Sequence, residues 1–271
     1  MANVVITGGT KGIGKGYAKE FLKRGHNVVV AGRTQESIDM ALADLAAAAA
    51  AGNAKIIGAV CDVSAIEQVQ YLWDKAVEAL ESIDIWINNA GIVRNGPTLL
   101  QLSTEEMVSL VESNVIGTML ASQVALQGMT KQGHGHIYNT LGSGNDGKIV
   151  PGMIVYGTTK HAISYFTKSL QNAVKDTGVK VSTISPGVNI SDGMIREVER
   201  IPPETRAQVI RSVNIMGDYV ETTTPWIVER ILNNDKSGTH ISWMNRWTFL
   251  GRHIKSFFQK RDLLKRYGLS G

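Results

Sequence analysis

The chain has 271 residues, of which 43% are hydrophobic and 19% charged, which excludes a globally disordered protein. Its net charge is +4, yet residues 246–271 hold seven cations against one carboxylate, leaving the first 245 residues at −2. That asymmetry speaks against a basic groove running across the fold, and so against nucleic acid as a partner. No apolar run reaches the roughly 18 residues a spanning helix needs. The N-terminus has no charged region followed by a cleavage site and enters a strand pattern directly, so no secretory signal is expected. A single cysteine, Cys61, fits a reducing, cytoplasmic compartment.

Strand and helix patterns alternate from the start. Asn3–Ile6 reads as a strand, followed by a glycine-rich turn and a helix over Gly14–Arg24. Val28–Ala31 is a second strand and Ser37–Ala51 a helix whose alanine-rich end is stopped by Gly52. Ala54–Val60 is a third strand. Ser64–Glu81 is helical, with Ser64 as its cap and Glu67 completing a capping box. Ile83–Ile87, His136–Leu141 and Val179–Ser185 supply three more strands. Long helices over 103–131 and 154–176 lie between them. Residues 189–222 break the rhythm and read as a mobile helical lid before a last strand near Thr239–Trp243. The rhythm predicts an α/β fold: one doubly wound Rossmann domain over 1–245, with a parallel sheet of about seven strands and helices on both faces.

Thr7–Gly14 lies between the first strand and the first helix. Glycines there allow a tight turn and close approach of backbone to a pyrophosphate, which the helix N-terminus attracts. An NAD-preferring site places an acid at the end of the second strand to hold the ribose hydroxyl. Here that place is Gly32, followed by Arg33 and Thr34, with Lys11 nearby. Two cations and no acid point to NADP(H), since a guanidinium pairs well with a 2′-phosphate. Tyr156 and Lys160 stand at i and i+4 on one helix face. An adjacent ammonium and a cationic nicotinamide are expected to lower the tyrosine pKa and make the phenol a usable acid or base.

With these residues in place the sequence resembles the short-chain dehydrogenase/reductase family over roughly residues 3–243. The matching positions occur in order: Thr7–Gly14 as TGxxxGIG, Asp62 after the third strand, Asn88-Asn89-Ala90-Gly91 after the fourth, then Asn114, Ser143, Tyr156, Lys160 and Pro186-Gly187. The resemblance implies that Tyr156 donates a proton to a carbonyl oxygen that Ser143 holds. It implies that Lys160 binds ribose hydroxyls and that Asn114 positions a water. It places Gly8, Thr10, Lys11, Gly12, Ile13, Gly14, Arg33, Thr34, Asp62, Val63, Asn89, Ala90, Gly91, Tyr156, Lys160, Pro186, Gly187 and Ser191 along the cofactor. Ser191 replaces a usual threonine and keeps the hydroxyl; Asn189 replaces a usual aliphatic residue at the start of the lid. Homodimers or homotetramers are implied by the same resemblance.

Within that family the segment His136–Gly147 and the stretch from YGTTK to TKSLQ resemble chlorophyll(ide) b reductases. The implied activity is NADPH-dependent reduction of a bulky apolar aldehyde or ketone, a formyl chlorin among them. Alcohol oxidation, 3-oxoacyl reduction and non-catalytic NADP sensing are the alternatives. His134 and His136 lack a carboxylate or cysteine at ligand spacing, so no metal site is expected. Residues 246–271 form a basic amphipathic extension. Trp243, Trp247, Leu250, Ile254, Phe257 and Phe258 make an apolar stripe that suits either an anionic membrane surface or packing on its own or a neighbouring subunit.

Overall fold

The computed structural model describes residues 1–96 and 98–269, with only the backbone of Thr205 and Arg246. Ser270 and Gly271, the end of the expected extension, lie outside the described residues. The first third alternates strictly: β1 (Asn3–Ile6), α1 (Gly12–Lys23), β2 (Asn27–Gly32), α2 (Gln35–Gly52), β3 (Ile56–Val60), α3 (Ile66–Leu80) and β4 (Ile85–Asn88). A long helical passage follows, made of α4 (Thr104–Val111), a π-helical turn (Glu112–Ile116) and α5 (Gly117–Gln132). It leads to β5 (Gly135–Thr140), α6 (Ile154–Ala173) and β6 (Val179–Ser185). Seven strands pair in parallel, in the order β3, β2, β1, β4, β5, β6 and then β9 (His240–Ser242).

Alternation along the strands builds two cores. On β1, Val4 and Ile6 join Val28, Val30, Ile87 and Ile184 against α1 residues such as Phe21. Val5 points the other way, with Val29, Trp86, Ile137 and Val181, against Leu72 of α3 and Val124 of α5. A strand buried on both faces reads as a continuous apolar run, which is why VVI, VVVA and IWI were legible as central strands. The strand order reverses between β1 and β4, so a crevice opens above their carboxyl ends, where doubly wound sheets bind ligands.

Three local expectations need correction. Ser64 does not cap α3, which starts after Ala65 without a side-chain cap. The Ser64 hydroxyl instead donates to Asp62 Oδ1 at 2.7 Å. Gly52 lies inside α2, and Asn53 ends the helix in the left-handed conformation. A methyl group on Gly52 would stand 1.8 Å from the Leu22 carbonyl oxygen, so close packing of α2 on α1 requires glycine there. The helix expected over 103–131 is not continuous. Its π turn carries the Gly117 amide to the Glu112 carbonyl, five residues back, and Asn114 sits within it, fully buried. Such turns mark functional positions more often than plain helix does.

The segment expected to act as a lid, called the lid below, has its own base. A two-stranded parallel sheet pairs β7 (Val188–Ile190) with β8 (Gly217–Tyr219), and α7 (Asp192–Arg200) and α8 (Pro203–Met216) rise between them. After α9 (Val220–Leu232) and β9 the chain forms α10 (Arg246–Phe258). The residues after α10 return to the lid: Leu264 is completely buried in a small core with Ile190, Ile195, Val198, Ile210 and Val213. The extension is thus packed into the lid, and residue 245 is not a packing boundary. Buried Asp218 of β8 joins the two. It accepts hydrogen bonds from Arg252 at 2.6 Å, Arg261 at 3.1 Å and the Trp243 indole nitrogen at 2.7 Å. Trp243 therefore faces inward, edge-on to Trp226 at 5.5 Å, and does not belong to the outer stripe.

Candidate active site

The glycine turn is held by the strand-end residues beside it. Thr7 Oγ1 accepts the backbone amides of Asn89 and Ala90, each at 3.1 Å. The Asn89 side-chain amide donates to the carbonyls of Thr7 and Gly8 at 3.2 Å. The Asn89 side-chain amide thereby fixes the turn. A methyl group at Gly14 would lie 2.3 Å from the Gly8 carbonyl oxygen, and one at Gly8 would lie 2.8 Å from Ala90 Cα. Gly8 and Gly12 also take positive φ, +63° and +52°, which favours glycine. The turn thus meets the Asn89–Gly91 segment with no room for side chains. Ser191 caps α7 by accepting the Met194 amide, and its Cβ stands 3.4 Å from the place of a Gly12 Cβ. The N-termini of α1 and α7 therefore converge on one spot, an arrangement that attracts anions.

Beyond the turn, Thr10 is buried while Lys11, Arg33 and Thr34 are exposed. Thr34 Oγ1 caps α2 through the Ser37 amide. A side chain at Gly32 would begin 2.7 Å from Thr10 Cγ2. The missing acid is therefore also a missing space. Asp62 is held below the usual carboxylate range, first by the Ser64 hydroxyl, then by the Ser64 amide and the charge of Arg33. Val63 is buried, and a methyl on Gly117 would lie 2.4 Å from its Cγ2, so its side chain is core packing. Cys61 is likewise buried, with its thiol pushed up to about 12 by burial and by Asp62.

At the other end of the crevice, α6 presents Tyr156 and Lys160. A methyl group on Gly142 would lie 2.2 Å from the Tyr156 hydroxyl oxygen, so this phenol rests on the strand-exit turn that carries Ser143. The Asn145 side chain donates to the Gly142 carbonyl at 2.6 Å and holds that turn. Lys160 Nζ is buried, 5.7 Å from the Tyr156 ring centre, and donates to the Thr140 carbonyl at 3.1 Å. Asn114 Nδ2 donates to the Ile92 carbonyl at 2.9 Å and to Thr159 Oγ1 at 3.1 Å, while its Oδ1 accepts the Ile92 amide. The place of a Gly91 Cβ is 2.8 Å from that Oδ1 and 3.9 Å from Lys160 Nζ. Asn114, Gly91 and Lys160 thus meet at one point, and the Asn114 side chain is fully engaged in holding the β4 exit loop. The Pro186-Gly187 turn is tied by Asn189, which donates to the Pro186 carbonyl at 2.7 Å and accepts from Thr223 of α9. That is the structural use of the unusual asparagine.

The expected lowering of the tyrosine pKa does not follow from the chain itself. Burial pushes the Tyr156 phenol up to about 12 and the Lys160 ammonium down to about 8. The cation meant to depress the phenol is itself weakened by burial, and its proton is aimed at Thr140. A phenol of this kind is protonated at neutral pH, the form a proton donor needs.

Sequence reasoning passed over several residues here. Gly142 and Asn145 flank Ser143, and the Gly-Ser-Gly triplet was a visible signal for a tight turn. The buried network Asn88–Asn139–Thr167, with Ser122 and the Trp86 indole, stiffens the exits of β4 and β5; nothing in the sequence announced it. Three buried side-chain oxygens among the described residues lack a partner, and two of them, Thr140 Oγ1 and Ser185 Oγ, stand at the carboxyl ends of β5 and β6. His136 is a core residue bonded to Ser182 and Tyr138, held neutral by burial, which takes its pKa down to about 3. No group of metal-ligating side chains occurs among the described residues.

If the Tyr156 hydroxyl must rest against an unsubstituted turn, Gly142→Ala should misplace it. The expected result is a loss of roughly 100-fold or more in kcat with an unchanged unfolding midpoint. Near-normal kcat would show that the phenol position does not matter.

Comparison with known proteins agrees with this geometry. The chain is 38% identical over 256 residues to the probable chlorophyll(ide) b reductase NYC1, chloroplastic, of Arabidopsis thaliana, covering 89% of this chain and 50% of that protein. It is 36% identical over 231 residues to the chlorophyll(ide) b reductase NOL, chloroplastic, of Oryza sativa subsp. japonica, covering 84% of this chain and 66% of that protein. The chain thus spans from half to about two thirds of the length of these relatives. A solved structure of ElxO with NADP bound superposes with a TM-score of 0.75 at 28% identity, covering 89% of this chain and 96% of that one. The profile of the short chain dehydrogenase family matches residues 2–200, the span that builds the crevice and both of its ends. A parallel sheet with its order reversed at β1, a glycine turn on one side and a tyrosine–lysine helix on the other have a common origin: the chain belongs to the short-chain dehydrogenase family.

Proposed function

We propose that this protein is an NADPH-dependent carbonyl reductase acting on a bulky apolar aldehyde or ketone, with a formyl chlorin as the leading substrate class. The observation that carries the reading is the Tyr156 hydroxyl, free of partners among the described residues, set on the Ser143 turn with buried Lys160 beside it. The residues fit the dinucleotide. Thr140 Oγ1 and Ser185 Oγ are buried, unpaired and placed at the strand ends, and such groups are retained where a ligand completes them. Arg33 and Lys11 are exposed on the side where the acid of an NAD site is missing. Hydride is the chemistry that NADPH supplies when bound. The chain supplies the rest: Ser143 Oγ donates to the carbonyl oxygen, and Tyr156, protonated at neutral pH, delivers the proton that turns this oxygen into a hydroxyl. Lys160 and Asn114 keep the strand exits and the phenol in place.

An apolar substrate is supported by the rim. Leu100 and Ile149 are 98% and 94% exposed on the two loops flanking Tyr156, and Leu99 and Ile154 are also exposed. The Gly96 amide joins these loops through the Gly152 carbonyl. The names of the relatives add the formyl chlorin. A homodimer or homotetramer through α4, the π turn and α6 is supported by exposed Val108, Val111, Ile116 and Tyr165. The test is NADPH oxidation against a panel of carbonyls that includes formyl chlorins; turnover confined to small polar carbonyls would refute the apolar substrate. Arg33→Ala should raise KM for NADPH by roughly 10- to 100-fold and leave KM for NADH nearly unchanged, as expected for loss of a charge-assisted phosphate contact. Equal effects on both cofactors would remove Arg33 from the 2′-phosphate.

A further inference from the structure

We propose that α10 is an interfacial helix that docks this protein onto an anionic lipid bilayer. The helix is fixed by its inner face. Arg252 bonds Asp218 and the carbonyls of Met216 and Gly217, and Arg261, just beyond the helix, bonds Asp218 as well. Asn245 caps its start through the Thr248 amide at 2.8 Å. This anchoring consumes two of the cations of the basic extension. It also turns Trp247, Leu250, Ile254, Phe257 and Phe258 outward, at spacings of three, four, three and one residues.

These five side chains fall within an arc of about 100° on a helix of 3.6 residues per turn. Trp247, Phe257 and Phe258 are 82%, 83% and 87% exposed, and Leu250 and Ile254 are each 51% exposed. The chain keeps them in water although its own lid core, which takes up Leu264, lies beside the same helix. Own-subunit packing, one of the two roles the sequence left open for the stripe, is therefore not what this face does.

Charge identifies the occupant. Residues 246–261 contain no Asp or Glu. Lys255, Lys260 and Lys265 are exposed, and no described carboxylate lies within ion-pair distance of them. Residues 1–245 carry −2, so the net positive charge of the chain comes from this extension. Aromatic rings in one stripe, with Lys255 on the same helix and Lys260 and Lys265 just beyond its end, suit the boundary between anionic headgroups and acyl chains. The described residues include no helix long and apolar enough to cross a membrane, so contact of this kind would be peripheral. Because α10 packs on α8, docking would bring the lid to the bilayer surface.

The test is co-sedimentation of the full chain with vesicles of equal parts phosphatidylglycerol and phosphatidylcholine, and with pure phosphatidylcholine. The expected result is binding to the anionic vesicles that fades as salt rises, and little binding to the neutral ones. Trp247→Ser, Phe257→Ser and Phe258→Ser combined should abolish it. Lys255→Glu with Lys260→Glu should weaken it by roughly 30-fold or more. Circular dichroism and carbonyl reduction in solution, unchanged in these variants, exclude misfolding. No binding to anionic vesicles at low salt would overturn the proposal. So would binding that survives the triple substitution, or a halving of particle mass in the triple variant, which would assign the face to a second copy of the chain. None of these outcomes bears on the reductase reading, which is tested without lipid.

Discussion

Tyr156→Phe is expected to cut the rate of carbonyl reduction by roughly 10²- to 10⁴-fold, the usual contribution of a positioned proton donor. NADPH binding and the unfolding midpoint should stay close to those of the parent. The reason lies in the surroundings of the phenol. Its oxygen lies over Gly142 and has no partner among the described residues, so its removal orphans nothing and opens no large cavity. Cofactor binding, followed by NADPH fluorescence, separates this outcome from a folding defect. Equal activity in the phenylalanine variant would assign proton transfer elsewhere. Inactivity of both forms across a broad carbonyl panel, with NADPH binding retained, would favour a sensor over an enzyme.

Asp218→Ala should have the largest effect on the lid. One carboxylate, 8% exposed, receives two guanidinium groups and an indole N–H. Removing it takes the acceptor from the Trp243 indole N–H and Arg252 Nη2, while Arg261 Nη2 keeps the Gly217 carbonyl at 2.9 Å. The cost of breaking a buried pair is discounted here because Arg252 and Arg261 still reach solvent, which leaves about 2–3 kcal/mol. For a chain of this size that corresponds to a midpoint lowered by roughly 5 °C. The loss should be local: faster amide exchange over residues 186–219 and 246–269, with the seven-stranded sheet unaffected. KM for the carbonyl substrate should rise more than kcat falls. Uniform exchange throughout the chain, or none, would contradict the assignment of Asp218 as the link between lid and extension.

Central strands and the paired motifs were readable because each is governed by local rules. Apolar runs such as VVI and VVVA permit little except a buried strand, and Tyr156 with Lys160 share a helix face by spacing alone. The π turn around Asn114 was not readable, because the residues 103–131 are compatible with an uninterrupted helix. The turn exists to meet the Ile92 backbone and Thr159, both distant in sequence. The lid's core was hidden for the same reason. Leu264 belongs to it through contacts with residues some 50 to 75 positions earlier, and the amphipathic pattern of the extension drew the apolar stripe through α10 and not through Leu264. For the tyrosine, spacing shows that a lysine is near but not how deeply either group is buried, and in the chain alone burial raises the phenol. Asn189 drew notice as a departure, yet its bonds to Pro186 and Thr223 give it a purpose that no single-sequence pattern contains.

The contact between Gly32 and Thr10 bears on how coenzyme preference can evolve in this chain. An acid introduced at position 32 would not simply gain a ribose hydroxyl; its Cβ would first collide with the Thr10 methyl and crowd Ser37 Oγ at 3.1 Å. Positions 10 and 32 therefore form an epistatic pair. An acid at position 32 is expected to be better accommodated when position 10 carries a smaller residue than when it carries threonine.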